Sequence, residues 1–188
     1  MSSVFQKQIS EGVFLRLLEE RHASAVFRVV DRERPFLRQW LPWVDSTTAL
    51  EHTRDFIRTS LEHFAAEEGL TTGIWCGDEF AGTVGTHKIS WPNRNVEIGY
   101  WIASKFQGRG IVTSACRALI EHAFQDWDLN RVEIRCASTN TKSCSVAQRL
   151  GFRLEGVLRE AQLVDARFVD LNVYGLLARE WKLRPASR

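Results

Sequence analysis

The strongest constraint on the fold is the order of elements around one glycine-rich loop, residues 107–113, with the sequence QGRGIVT. The spacing of apolar residues predicts a strand at Val96–Ile102 just before the loop and a helix at Thr113–Asp126 just after it. A strand, a helix and a strand are then predicted at 131–137, 143–150 and 152–158. Strands connected through helices in this order favour a mixed α/β sheet with helices on its faces.

The segments on either side of this stretch add further elements. A first helix begins at His22 and is expected to be interrupted at Pro35. Thr47 or Thr48 is expected to cap a second helix, with Glu51 placed for a capping box. The remaining strands, which bring the expected total to seven, are predicted at 12–18, 71–76, 80–89 and 170–177.

Chain length, composition and net charge indicate how many domains to expect and which partners to exclude. The chain has 188 residues, of which 44% are hydrophobic and 26% charged, and this fits a single globular domain spanning 1–188. The net charge is only +2, and no Lys/Arg-rich block is present. We therefore expect no nucleic-acid partner.

Cysteine, histidine and apolar spacing bear on metals, redox compartment and membranes. The four cysteines include no C-x-x-C pair and the five histidines show no metal-ligand spacing, so neither a metal site nor a disulfide framework is expected. No stretch approaches the ~18 apolar residues that cross a bilayer, and the first seven residues do not resemble a signal peptide. We therefore expect a cytoplasmic protein without a membrane partner.

On physical grounds alone, the loop is a candidate anion site. The first N–H groups of a helix lack intrahelical partners and carry partial positive charge. Gly108 and Gly110 have no Cβ, so the backbone can approach a phosphate closely, and Arg109 adds a full positive charge. The loop lacks the pattern of P-loop NTPases and the third glycine of the dinucleotide fingerprint. A turn without a ligand is the alternative that these residues leave open.

Two blocks resemble the acetyl-CoA-binding segments of the GNAT superfamily of N-acetyltransferases. In 97–113, Gln107 and Gly110 match the signature Q/R-x-x-G-x-G/A, while Val112 stands where Gly or Ala is usual. The block 140–152 is similar to the family's N-x-x-S…L-G-F stretch. The resemblance implies an α/β fold with a central, mostly antiparallel sheet of about seven strands, a splayed parallel pair and four to five flanking helices.

Two further segments resemble the RimJ/RimL-type branch, which acetylates protein N-termini. They are 155–161, followed by Asp170 and Tyr174, and the loop Trp40–Trp43. The resemblance, which extends from about 12 to 181, implies acetyl-CoA as co-substrate, the α-amine of a ribosomal protein as acceptor, and a homodimer. A small-molecule amine (polyamine, amino sugar, antibiotic or amino acid) and a non-catalytic CoA-binding module are the open alternatives.

The resemblance also assigns the donor site. The backbone N–H of Trp101 or Ile102 is expected to bind the carbonyl oxygen, Asn140 the pantetheine arm, and Ser143 the leaving thiolate. Ser143 could instead cap its helix, and an acyl-enzyme on Cys144 is a weaker alternative without a nearby histidine. The loop residues expected to hold the pyrophosphate are Gln107, Gly108, Arg109, Gly110, Ile111, Val112 and Thr113.

The general base and the acceptor pocket are implied by the same resemblance. Glu97 lies where many relatives carry a catalytic carboxylate, although pairing with an arginine would give it a structural role. In the RimJ/RimL branch, a glutamate near the segment that matches 159–161 is proposed to act as the base or to bind the acceptor. Here the position two residues past Glu160 is Gln162, so the resemblance does not assign that role to a glutamate. Core packing is the alternative for the tryptophans expected in the acceptor pocket, and a solvated or structural role is the alternative for the histidine. The expected pocket residues are Trp40, Trp43 and His87.

Overall fold

The computed structural model describes residues 5–183, so the outermost residues of the expected 1–188 domain lie outside the described part. Within 5–183, eight strands and five α-helices follow in the order ββααβββαβαββα. The strands are β1 (Gln6–Ser10), β2 (Val13–Leu17), β3 (Thr71–Cys76), β4 (Glu79–Thr86), β5 (Asn95–Ile102), β6 (Arg131–Ala137), β7 (Arg153–Val164) and β8 (Arg167–Leu177). The helices are α1 (Ala23–Leu37), α2 (Leu50–Ala65), α3 (Ile111–Gln125), α4 (Thr141–Arg149) and α5 (Ala178–Lys182).

All eight strands belong to one sheet with the order β1-β2-β3-β4-β5-β6-β8-β7. Neighbouring strands are antiparallel except β5 and β6, which are parallel. These two strands pair only at 95–97 against 131–133, although β5 continues to Ile102 and β6 to Ala137. The expected mixed sheet with a splayed parallel pair is therefore confirmed, with one strand more than the sequence indicated.

Consecutive side chains of β5 contact elements on the two opposite faces of the sheet. The Trp101 ring contacts the ring of Trp43, with centroids 6.1 Å apart, whereas the Tyr100 hydroxyl lies 2.9 Å from the Ser143 hydroxyl of α4. Consecutive residues of a strand point to opposite faces of a sheet. The Trp43 segment and α4 therefore lie on opposite faces, and the splay opens between them.

The sequence pattern missed β1 and underestimated the last hairpin. The residues of β1, QKQIS, are mostly polar and alternate only between exposed and half-buried positions, so their apolar periodicity is weak. β7 runs to Val164 and β8 begins at Arg167, whereas the predicted strands stop at 158 and resume at 170. Most of β7 is exposed, and its pairing with β8 rather than burial keeps it extended.

Pro35 does not end α1, which continues to Leu37. A proline inside a helix removes one backbone hydrogen bond. The apolar stripe nevertheless continues past it, because Leu37 lies seven residues after Val30 and both are buried. Burial of Leu37 therefore offsets the missing bond.

The expected cap of α2 is wrong. Ala49 holds the N-cap position, and the Thr47 hydroxyl instead donates to the carbonyl of Trp43 at 3.1 Å. Glu51 accepts from Arg54 at 2.9 Å rather than closing a capping box. Thr47 is therefore used to fold the aromatic loop and not to start the helix.

Candidate active site

The glycine loop is an open stretch of backbone between two buried side chains. Phe106 and Ile111 are each 5% exposed, whereas the four residues between them are exposed or half-buried. Gly108 and Gly110 have φ values of 73° and 75°, which side chains rarely adopt. A Cβ at either glycine would meet no protein atom within 4 Å, so the space beside both is open to a ligand.

Positive charge converges on this loop. α3 begins directly after Gly110, two residues earlier than predicted, so the partner-free N–H groups of its first turn meet the loop. The Lys142 ammonium donates to the Gln107 side-chain oxygen at 2.8 Å, and the Arg109 guanidinium lies 5.6 Å from the Phe106 ring. In the part of the chain that is described, neither cation has a carboxylate oxygen within 4 Å. These groups fit a pyrophosphate.

The strand register shows which N–H group faces the splay. Ala103 N–H donates to Ala81 of β4 at 2.8 Å, and the Glu97 carbonyl accepts from His87 at 2.9 Å. Odd-numbered residues of β5 therefore face β4 with their backbone groups, and even-numbered residues face β6. Trp101 N–H is directed at β4, whereas Ile102 N–H points into the gap.

Ser143 and Asn140 have different roles at the start of α4. Asn140 is the N-cap, and its side-chain oxygen accepts from the Ser143 N–H at 3.2 Å. The alternative that Ser143 caps the helix is therefore wrong. Its hydroxyl instead lies 2.9 Å from the Tyr100 hydroxyl, whose pKa burial raises well above the ordinary value. Tyr100 stays protonated at neutral pH, so two hydroxyls meet at the splay.

Cys144 is adjacent to Ser143 but belongs to the core. It is 8% exposed, and its Sγ lies 3.4 Å from Cys136 Sγ and 3.5 Å from the Asn172 amide nitrogen. Burial raises the pKa of the Cys136 thiol to about 12, so that thiol is protonated at neutral pH. Nothing in this geometry favours an acyl-enzyme on Cys144.

The Glu97 carboxylate lines the cavity beside an arginine and a histidine. Its carboxylate is 3.4 Å from the Arg135 guanidinium and 3.8 Å from His87 Nε2. Arg135 also donates to Glu133 at 3.0 Å. The arginine pairing that the sequence left open is therefore present, and it leaves the Glu97 carboxylate on the cavity wall.

Aromatic side chains form one wall of the cavity, at the end where the sequence predicts the acceptor pocket. The Trp101 ring lies between those of Trp43 and Phe80, tilted to the first and edge-on to the second, at centroid distances of 6.1 and 5.8 Å. Trp43 is 37% exposed, whereas Trp101 is 9% exposed, so the row runs from the core to the surface. Gln162 of β7 also lines the cavity, because a bulge between 158 and 162 shifts the register of the hairpin.

A cavity of about 1450 Å³ joins the loop to this aromatic wall. It brings together every residue that the sequence placed in the donor or acceptor site. Sequence reasoning missed Tyr100, Arg135 and Lys142. Alternation along β5 puts the Tyr100 side chain on the face opposite Trp101, but its contact with Ser143, 43 residues away, has no local signal in the sequence.

The described residues include neither a candidate metal-binding cluster nor a candidate membrane-spanning helix. In 5–183, no group of three His, Cys, Asp or Glu side chains is placed to hold a metal ion. Within the same range, no helix is both long and apolar enough to span a membrane.

Comparison with known proteins identifies the family. Residues 13–153 match the acetyltransferase (GNAT) domain. The chain is 35% identical to a putative ribosomal N-acetyltransferase, YdaF, of Bacillus subtilis, over 95% of this chain and 98% of that protein. It is 31% identical to the ribosomal-protein-serine acetyltransferase of Escherichia coli, over 89% and 93%.

Solved structures agree with these relatives. RimL, a ribosomal alpha-N-protein acetyltransferase in complex with coenzyme A, superposes with a TM-score of 0.90 at 29% identity, covering 94% of this chain and 99% of that one. The microcin C7 self-immunity acetyltransferase MccE, in complex with acetyl-CoA and AMP, gives 0.85 at 28%, covering 90% and 94%. The chain therefore belongs to the GNAT family and is an N-acetyltransferase that uses acetyl-CoA.

Proposed function

We propose that this enzyme acetylates the N-terminal α-amine of a protein, with a ribosomal protein as the favoured acceptor. The observation that carries the proposal is the cavity, which runs from the loop to an aromatic wall that reaches the surface at Trp43. Such a wall suits the end of a polypeptide better than an enclosed small molecule. Relatives with ribosomal-protein acetyltransferase names cover most of this chain.

The candidate base favours an α-amine. Among the described residues that line the cavity, Glu97 is the one carboxylate, and it is paired with Arg135 at 3.4 Å. An α-amine has a pKa near 8, so roughly a tenth of it is neutral at pH 7, against well under a thousandth for lysine near 10.4. An α-amine therefore depends less than a lysine on a base in the site.

In the proposed mechanism, acetyl-CoA supplies an activated thioester to the amine, and transfer is direct. The N–H of Ile102 donates to the carbonyl oxygen as it gains negative charge. Glu97, directly or through water, takes the proton that the amine loses. Ser143 donates to the departing sulfur, and Tyr100 fixes the orientation of the Ser143 hydroxyl at 2.9 Å.

The test is a matched panel of acceptors with acetyl-CoA, followed by release of free thiol. Two peptides of one sequence would be compared, with a free and a blocked N-terminus, each containing one lysine. We expect thiol release only with the free N-terminus, and mass spectrometry should place the acetyl group on the α-nitrogen. Acetylation of lysine in the blocked peptide would contradict the proposal.

A second acceptor class has one observation in its favour. The similar MccE structure is in complex with AMP as well as acetyl-CoA. The panel therefore includes an aminoacyl nucleotide analogue, a polyamine and an aminoglycoside. If one of these exceeds the free peptide in kcat/KM by tenfold or more, the enzyme is a small-molecule acetyltransferase.

We also propose that the enzyme is a homodimer acting in the cytoplasm, where ribosomal proteins are found. β7 is one of the two edge strands of the sheet, and exposed apolar residues cluster on it and β8. An apolar edge strand is a pairing surface that proteins rarely leave uncovered. Light scattering after size exclusion should give twice 21.6 kDa, and Leu158→Glu should give the monomer. The exposed residues are Leu154, Val157, Leu158, Leu163 and Phe168.

A further inference from the structure

Glu33 is a buried carboxylate at a position where α1 otherwise buries aliphatic side chains. It is 8% exposed and lies on the same stripe of the helix as Val26, Val30 and Leu37. Burying a carboxylate costs free energy unless hydrogen bonds compensate for the lost water. Glu33 must therefore accept hydrogen bonds from donors that an aliphatic side chain could not satisfy.

Those partners lie at the end of β5. Glu33 Oε2 accepts from the backbone N–H of Ser104 at 3.0 Å, and Oε1 accepts from Arg32 at 3.4 Å. Burial acts to raise the pKa of Glu33, but the hydrogen bonds from Ser104 and Arg32 outweigh burial and hold that pKa below its ordinary value. Glu33 is therefore ionised and bonded at neutral pH.

Ser104 lies at the start of the turn that leads into the glycine loop. It begins a short 3-10 turn, Ser104–Phe106, and Gln107 follows immediately. The preceding N–H, that of Ala103, donates to β4 at 2.8 Å. Two successive N–H groups are thus fixed from two directions, one by the sheet and one by α1, and only three residues separate Ser104 from Gly108.

We propose that Glu33 is a positioning residue for acetyl-CoA, which fixes the start of the glycine loop from α1 without touching the substrate. Because Val26 and Val30 of α1 line the same cavity, this contact also joins the acceptor side to the donor loop. The proposal rests on acetyl-CoA binding at the loop and is independent of which amine is acetylated. Binding measured without any acceptor therefore tests it separately from the proposed function.

The main test is Glu33→Met, which keeps the length of the side chain and suits the apolar stripe. We expect the dissociation constant for acetyl-CoA, measured by calorimetry, to rise about tenfold while kcat at saturation changes less than about twofold. Glu33→Gln retains an oxygen for the Ser104 N–H and should stay within about threefold of wild type. Val29→Ala, a change at a buried neighbour on α1 without this contact, should leave acetyl-CoA binding unchanged.

A second variant removes the donor instead of the acceptor. Ala103 has φ −62° and ψ 145°, which a following proline tolerates, and Ser104 is the first residue of its 3-10 turn. Ser104→Pro therefore deletes the N–H, together with the Ser104 hydroxyl that also bonds Glu33. It should weaken acetyl-CoA binding as Glu33→Met does, and the double variant should be no weaker than either single one. Wild-type affinity in Glu33→Met or in Ser104→Pro, or fully additive losses in the double variant, would overturn the proposal.

Discussion

The half of the cavity that we propose binds acetyl-CoA, the donor half, and the half that we propose binds the amine, the acceptor half, are built in different ways. The donor half comes from one stretch of chain, 96–149, and much of what it offers is backbone N–H from the loop, Ile102 and the start of α3. The acceptor half collects side chains from distant segments, including Trp43, His87 and Gln162. Donor chemistry is thus encoded locally, whereas acceptor choice depends on how remote segments meet. Variants should therefore affect the two halves separately.

The largest separation is expected from Gly110→Val. A β-branched residue at φ 75° is strained, and its side chain would occupy the open space of the cradle. Affinity for acetyl-CoA should fall at least about 100-fold by calorimetry. Gly12→Val is the matched control, since Gly12 has φ 66° and open surroundings and does not line the cavity. Equal loss of binding in the control would attribute the effect to unfolding.

Ser143→Ala tests chemistry within the donor half. Removing the hydroxyl that we propose serves the leaving thiolate should lower kcat about 100-fold, while the dissociation constant for acetyl-CoA changes less than about threefold. Tyr100→Phe leaves Ser143 present but unoriented, so a smaller loss of about tenfold is expected. Rapid-quench measurement of the acetyl-transfer step would distinguish these outcomes from slowed product release.

Trp43→Ala tests the acceptor half. Loss of the exposed end of the aromatic row should raise the KM for the peptide about tenfold and leave acetyl-CoA binding unchanged. Trp91→Ala is a suitable control, because Trp91 is 41% exposed and lies outside the cavity lining. A parallel loss of acetyl-CoA affinity would show that the two halves are not separable at this residue.

The smallest effect is expected from Lys142→Met. Lys142 is exposed and its charge is screened by salt, so acetyl-CoA affinity should fall only about threefold at low ionic strength. That difference should vanish near 1 M salt. Lys7→Met, at a surface cation paired with Glu121 at 3.2 Å, controls for net charge.

The difference between contacts within one segment and contacts between distant segments also explains which features the sequence could predict. Gly108 and Gly110 stand next to the helix they serve, so spacing alone indicated an anion site, and β5 and β6 followed from their apolar pattern. Tyr100 was missed because its partner, Ser143, is 43 residues away. The register of β5 was needed to choose Ile102 over Trp101, and no local pattern encodes a register between strands.

Errors in the fold have a similar origin. Pro35 and Thr47 carry strong local signals for a helix end and a helix cap. Burial of Leu37 in the core overrode the first signal, and a competing local bond from the Thr47 hydroxyl to the Trp43 carbonyl overrode the second. The role of Glu33 is invisible locally, because an acid within an apolar stripe has meaning only once Ser104 is beside it. Conversely, the bulge that brings Gln162 to the cavity lies in a segment whose pattern predicted only a shorter strand.

The splay between β5 and β6 also affects the stability of the enzyme against local and global unfolding. Beyond residues 97 and 133, amide groups of both strands face a gap rather than each other, so they should exchange hydrogen with solvent faster than their neighbours. Acetyl-CoA in the gap would slow that exchange and add RT ln(1 + [L]/Kd) to the free energy of unfolding. Intracellular persistence of the enzyme would therefore follow the supply of its acetyl donor, rising and falling with the metabolic state of the cell.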